Sequence, residues 1–419
     1  MIAPPTCRNR LALRLPIAVA ALAATPAAAA SCRWQPVWGA SQMAAEGDDA
    51  LPNGALADAT LRQVVRASAG GGQVRVRFSN AFGRAPLVIA HATLARSADR
   101  ASARVRPETM RTLRFAGSAA VTIPPGADWV SDPVAWPIAA FDDLAVSAHI
   151  AASDGRTSHL GSRATSYVVA GDRTADADLA DPRRVAHWYH LAGLEVRRCA
   201  PAAVPGAIVV LGDSITDGYG VALDSNTRWT DALARRLGGR VAVVNQGIGG
   251  NRILGDGLGP SVLSRLDRDV LAQPGIGHLI VLAGVNDLGG LARTRTATPQ
   301  QRADLTAQII AAYAQIVARA RAHGIRVHGA TILPFMASGY YKPDAAIEAS
   351  RQAINAWLRT PGNVDGVIDI DRALRDPARP AYLAARFDND GLHPSIAGYR
   401  AMADAVDLTA FGPAKKRRR

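Results

Sequence analysis

The sequence predicts an α/β protein in two parts, an all-β sandwich followed by a doubly wound parallel sheet. Three observations carry that prediction. The 419-residue chain is longer than one ordinary core covers. From about Arg33 to Arg198 it runs in short alternating stretches such as "QVRVRFSN", "TLRFAG" and "DLAVSAHI", separated by Gly, Pro, Asp and Ser. From Ala207 onward apolar strands alternate with amphipathic helices, the pattern of repeated βα units and a parallel sheet.

Residues 1–30 belong to neither part. Arg8, Arg10 and Arg14 precede "LPIAVAALAA" and the small-residue run "TPAAAAS", which reads as a secretory signal cut near Ala28 or Ala30. The apolar run is too short to span a bilayer, and no later segment offers ~20 uninterrupted apolar residues. The mature protein is therefore expected to be secreted or periplasmic, with no integral membrane segment after cleavage. Cys7 leaves with the signal, so Cys32 and Cys199 remain in a compartment that permits disulfides. A bond between them is the expectation. Lipidation of Cys32 competes with it, although "AAASC" is a poor lipobox, and two free thiols are the third possibility.

The sandwich is assigned to 31–200. Trp34, Trp38, Trp129 and Trp136 have the chemistry to stack on sugars, but the core is the ordinary place for most of them. His187 and His190 form an H-x-x-H whose spacing in a strand sends the rings to opposite faces. With no Cys/His cluster at ligand spacing, neither a metal nor a cofactor is expected. The aperiodic "CAPAAVPGA", Cys199 to Ala207, marks the domain boundary.

The second domain, 206–412, shows strands near 207–211, 240–244, 278–283, 325–332 and 366–370. The clearest helix begins at Thr298-Pro299 with Gln301 closing a capping box. It carries Leu305, Ile309, Ile316 and Ala320 on one side and stops at Gly324. Residues 413–419 read as a basic disordered tail. The formal charge of +13 falls to +10 without the signal arginines and to +5 without Lys415 to Arg419. No nucleic-acid-binding motif accompanies that charge, so no nucleic-acid partner is expected. Oligomeric state is left open.

In a doubly wound sheet, ligands bind outside the carboxyl ends of the strands, so the residues just after each strand matter most. After the first strand comes Ser214 in "GDSIT". After the second comes Gly250 in "NQGIGGNR", after the third Asn286 in "AGVNDL", and after the last Asp390 and His393 in "DNDGLHPS". A nucleophile, a small backbone donor, an amide side chain and an acid-oriented imidazole are the parts that acyl transfer requires. Each also has a plainer use: Ser214 as a helix cap, Gly250 in a turn, Asn286 bracing a loop, Asp390 as a cap. Asp213 and Asp217 read as bracing residues, Asp287 as orienting the Asn286 loop, and His278 and His328 as satisfied residues in or beside strands.

These blocks resemble the SGNH hydrolases, also called GDSL esterases and lipases. Gly212-Asp213-Ser214 opens the family's first block, Gly250 fits the second, Gly284-x-Asn286-Asp287 the third and Asp390-x-x-His393 the last. The resemblance runs from Ala207 to about Leu408. It implies a flavodoxin-like, three-layer α/β/α domain, a Ser214–His393–Asp390 triad, and an oxyanion hole from Ser214, Gly250 and Asn286. The serine does not stand in a G-x-S-x-G elbow. The expected function is a secreted serine esterase acting on small esters or acylated polysaccharide, with acetyl groups on carbohydrate as the favoured substrate. The alternatives are a lipase or arylesterase of the same mechanism and a non-catalytic carbohydrate-binding protein.

Overall fold

The computed structural model describes residues 1–3, 31–200, 204–294 and 296–412. Most of the expected signal segment and the basic tail, 413–419, lie outside the described residues.

From Ser31 to Ala200 the chain is built mainly of antiparallel strands. Strands Ser31–Gly39, Leu191–Ala200 and Gly71–Ser79 run side by side in one five-stranded sheet, with Ser31–Gly39 at its edge. Strands Ser166–Ala170, Ala59–Arg66, Asp143–Ala152 and Leu87–Arg96 are the centre of a seven-stranded second sheet. Their inner faces form one core. Leu144, Val146, Ala148 and Ile150 send alternate side chains from one sheet to meet Val74, Val76 and Phe78 from the other. Part of the opposite face of the seven-stranded sheet is covered too, with Ala145 joining Val64, Tyr167 and Leu179 in a separate cluster. Burial on both faces explains why "DLAVSAHI" alternates so weakly in sequence. Trp38 and Trp136 are core residues, Trp34 is half-buried under the Arg75 guanidinium, and Trp129 is exposed. Cys32 and Cys199 are register partners on adjacent strands and are joined by a disulfide.

From Ala207 the architecture changes to five parallel strands in the order Val243–Gly247, Ala207–Gly212, Ile276–Leu282, Arg326–Ala330, Gly366–Ile368. Ala207 to Leu211 are all fully buried, as a central strand covered on both faces requires. Helices Pro299–Ala322 and Ala345–Arg359 pack together, as do Trp229–Leu237 and Ile396–Asp404. In Pro299–Ala322 the Thr298 hydroxyl accepts from the Gln301 amide while the Gln301 side chain accepts from the Thr298 amide. The second strand starts later than the sequence suggests, at Val243, because Val241 and Ala242 are buried ahead of the ladder. The second strand lies on one side of the first and the third on the other. The chain therefore reverses direction across the sheet beside Gly212, which is where such folds open a crevice.

The β region is bonded directly to the α/β region. The Gln35 amide donates to Pro205 O and Gly275 O, Ser68 Oγ accepts from the Val243 amide, and Arg77 donates to Gln273. His159 Nε2 lies 3.0 Å from Asp217 Oδ1. Among the described residues no helix is long and apolar enough to cross a membrane.

Candidate functional site

The first strand ends at Gly212, and the residue there must be small. A Cβ would lie 2.4 Å from Thr216 Oγ1 and 2.7 Å from the Leu282 carbonyl. The chain then turns into the one-turn helix Ser214–Asp217. The capping residue is Asp213, whose carboxylate accepts from the Ile215 amide at 3.0 Å. Ser214 is released from that duty, and as the first helical residue its N–H has no partner within the helix. Burial pushes the Asp213 carboxyl up to about 7, opposed by the Ile215 amide and assisted by the charge of Asp287.

Ser214 Oγ lies 2.9 Å from His393 Nε2, and His393 Nδ1 lies 2.8 Å from Asp390 Oδ2. Both Ser214 and His393 are buried. The loop that brings Asp390 and His393 together is tight. Asp388 Oδ1 accepts from Gly391 N, Asn389 N donates to the His393 carbonyl, and Asp390 Oδ1 accepts from the amides of Leu392 and His393. Pro394 and Ser395 then start helix Ile396–Asp404, with Ser395 as its cap. Burial works to raise the Asp390 pKa, but the His393 amide and imidazole more than offset it and hold the carboxylate below its ordinary value.

For His393 burial is the largest influence and lowers the pKa. The hydrogen bond and charge of Asp390 oppose it, and Arg163 adds to the lowering. An imidazole must be neutral to accept a proton, so activity is lost as pH falls through the folded-state pKa. The acid limb of kcat/KM is therefore expected below the ordinary histidine value of about 6.5. A pH–rate profile checks this, and a limb centred above about 7 would contradict it.

Gly250 sits in a turn at φ +68°, where a Cβ would meet Leu258 at 2.8 Å, so both the backbone and the space favour glycine. Asn286, on helix Val285–Thr294 after the third strand, donates to the Asn251 carbonyl at 2.7 Å and accepts from the Tyr341 hydroxyl at 2.6 Å. The amide is thus oriented from two sides, with one N–H left after the Asn251 bond. Asp287 accepts from the Ile253 and Leu254 amides, so it braces the loop after the second strand and not the segment around Asn286.

Several residues that support this arrangement were not singled out in the sequence. Arg265 is fully buried and donates to Gly212 O, Gln246 O, Asn251 Oδ1, Asp269 and Ser41 Oγ. It fastens the ends of the first two strands, the Asn251 loop and the β region to one guanidinium. The signal was present: Arg265 and Asp269 fall on the same helical stripe as buried Val262 and Leu266. Tyr219 stacks on His393 with ring centroids 4.0 Å apart, and the Arg163 guanidinium from the β region lies 5.5 Å from the Tyr219 ring.

The other histidines behave otherwise. His278 and His328 face each other at 3.1 Å, and burial pushes both down to about 4. His187 lies in strand His187–Tyr189. His190 has left the strand geometry at φ +58° and is buried between Ser153 Oγ and the Ser79 carbonyl, so the two share no ligand site.

Residues 210–401 match the family model for the GDSL-like lipase/acylhydrolase family. No curated protein matches the chain. Among solved structures, a GDSL-like lipase from Bacteroides thetaiotaomicron is 18% identical, with 50% of this chain and 91% of that chain covered at a TM-score of 0.37. An acetyl xylan esterase from Geobacillus stearothermophilus is also 18% identical, with 49% and 94% covered at a TM-score of 0.36.

Proposed function

With residues 210–401 forming a GDSL-like lipase/acylhydrolase domain, the chain is an ester hydrolase, and we propose that Ser214, His393 and Asp390 carry its chemistry. The observation that supports this most is the unbroken line from Ser214 Oγ through the imidazole to the Asp390 carboxylate. Ser214 Oγ attacks the ester carbonyl carbon while His393 Nε2 takes its proton. The negative charge that develops on the carbonyl oxygen is held by the Ser214 and Gly250 N–H groups and the Asn286 amide. His393 then passes the proton to the leaving alcohol. In the second half-reaction it takes a proton from water, which attacks the acyl-serine, and passes that proton to the departing Ser214 Oγ as the acid is freed.

The catalytic domain in this reading is 206–412, and 31–200 is a domain that braces it. The substrate is a short acyl ester, acetyl in the first instance, on a carbohydrate. Two exposed aromatic residues support that choice. Tyr219 lies on His393 and is 43% exposed, and Tyr340, 63% exposed, packs edge-on against the Tyr341 that holds Asn286. Flat aromatic faces of this kind suit the C–H faces of a sugar ring. Export fits both the leader-like first segment and the disulfide.

A panel of acetyl to palmitoyl esters, with acetylated polysaccharides beside it, tests the proposal. The expected result is kcat/KM highest for acetyl esters, with acetate released from the polysaccharide. A preference for palmitoyl esters would make the protein a lipase, and hydrolysis of none would favour a binding protein.

A further inference from the structure

We propose that His91, His149 and Asp172 form a zinc-type divalent metal site on the seven-stranded sheet, built wholly from the β region. His91 and His149 are register partners on strands Leu87–Arg96 and Asp143–Ala152. Directly opposed residues of an antiparallel pair point to the same face, so the two imidazoles stand side by side, with ring centroids 6.4 Å apart.

Asp172 reaches them from the turn after strand Ser166–Ala170. Thr60, itself the register partner of His149, anchors that turn on both sides of Asp172: its hydroxyl donates to Gly171 O and accepts from Arg173 N, each at 2.7 Å. One carboxylate oxygen, Oδ1, accepts from the amide and hydroxyl of Thr174. That leaves Oδ2 to face the imidazoles, 2.5 Å from His91 Nδ1 and 3.9 Å from His149 Nδ1. The three donor atoms all lie within 4.8 Å of one another.

The second observation concerns His149. Its Nε2 lies 2.8 Å from Asp58 Oδ1, and an ionised carboxylate only accepts, so Nε2 carries the proton and Nδ1 the lone pair. That Nδ1 is buried and has no hydrogen-bond partner. A buried acceptor left unsatisfied is unfavourable, and a cation held between Nδ1 and Asp172 satisfies it. A carboxylate on the far nitrogen is also the usual way a ligating imidazole is oriented and made more basic.

Two imidazoles and a carboxylate are a zinc-type donor set, and three protein ligands leave a position for water. Exposure of His91 and Asp172 keeps that position open to solvent. A tetrahedral ion with bonds near 2.1 Å sets its donors about 3.4 Å apart. The observed 2.5 and 3.9 Å bracket that spacing, so small side-chain rotations complete the site. The ion would tie the 171–174 turn to two central strands. Ligand spacing along the chain does not reveal it, because strand register and not sequence proximity brings the donors together.

The full chain, stripped with chelator and dialysed, is titrated with zinc chloride by calorimetry and with cobalt(II) chloride by visible absorption. The expected result is one zinc per chain and a cobalt spectrum of tetrahedral intensity. Both are expected to be lost in His91→Ala and in Asp172→Asn, while ester hydrolysis, which shows that these variants are folded, persists. Asp58→Asn leaves all three ligands in place and is expected to weaken zinc binding by about 10- to 100-fold. No uptake by the wild type would overturn the site. So would binding that survives His91→Ala and disappears in His393→Ala, which would place the ion at the catalytic imidazole.

Discussion

Ser214→Ala is expected to lower kcat by about 10⁶-fold with the fold unchanged, since the variant lacks the oxygen that forms the acyl bond. The fold should survive because Ser214 does no capping work. Asp213 accepts from the Ile215 amide, and the hydrogen bond from Ser214 Oγ runs to His393. Binding and the oxyanion donors remain, so a residual rate about 10³ to 10⁴ above the reaction in water is expected. Steady-state kinetics at substrate saturation check the fall, and far-UV circular dichroism checks the fold. A variant within tenfold of wild type would remove Ser214 from the mechanism.

Asp390→Asn is the second large effect, a loss of about 10⁴-fold in kcat with little change in KM. The reason lies in which nitrogen of His393 carries the proton. Asp390 Oδ2 accepts from Nδ1, which leaves the Nε2 lone pair facing Ser214 Oγ. In the variant the side-chain oxygen still accepts from the Leu392 and His393 amides, which keeps the loop closed. The NH₂ group then faces Nδ1 and donates to it. The imidazole proton moves to Nε2, where it points at the serine and blocks proton transfer. A loss of tenfold or less would reduce Asp390 to a residue that only shapes its loop.

What the sequence makes legible here is local. Five apolar residues, Ala207 to Leu211, announce a strand covered on both faces, and it is so covered. Thr298, Pro299 and Gln301 announce a helix start, and both capping-box bonds are present. Ser214, Gly250 and Asn286 stand out because they come just after strands, where a doubly wound sheet exposes side chains, whereas Asp390 and His393 lie in a loop well beyond the last strand and stand out by their D-x-x-H spacing. The rest depends on contacts that register and packing create. Tyr341 orients Asn286 from a loop far along the chain, and Tyr219 stacks on His393 from the turn after Asp217. Arg265 sits among apolar neighbours where a charge is unexpected, and the carbonyls and the Asp269 carboxylate it reaches explain it. His91 and His149 meet because two strands pair in one register and not the next.

In the proposed mechanism one serine, made nucleophilic by His393, attacks the substrate. Covalent labelling of the intact chain with a fluorophosphonate, followed by peptide mass spectrometry, tests it most directly. The expected result is one adduct per chain, on the peptide containing Ser214, abolished in both Ser214→Ala and His393→Ala. An adduct on another residue, or labelling of Ser214 that proceeds at full rate without His393, would contradict it.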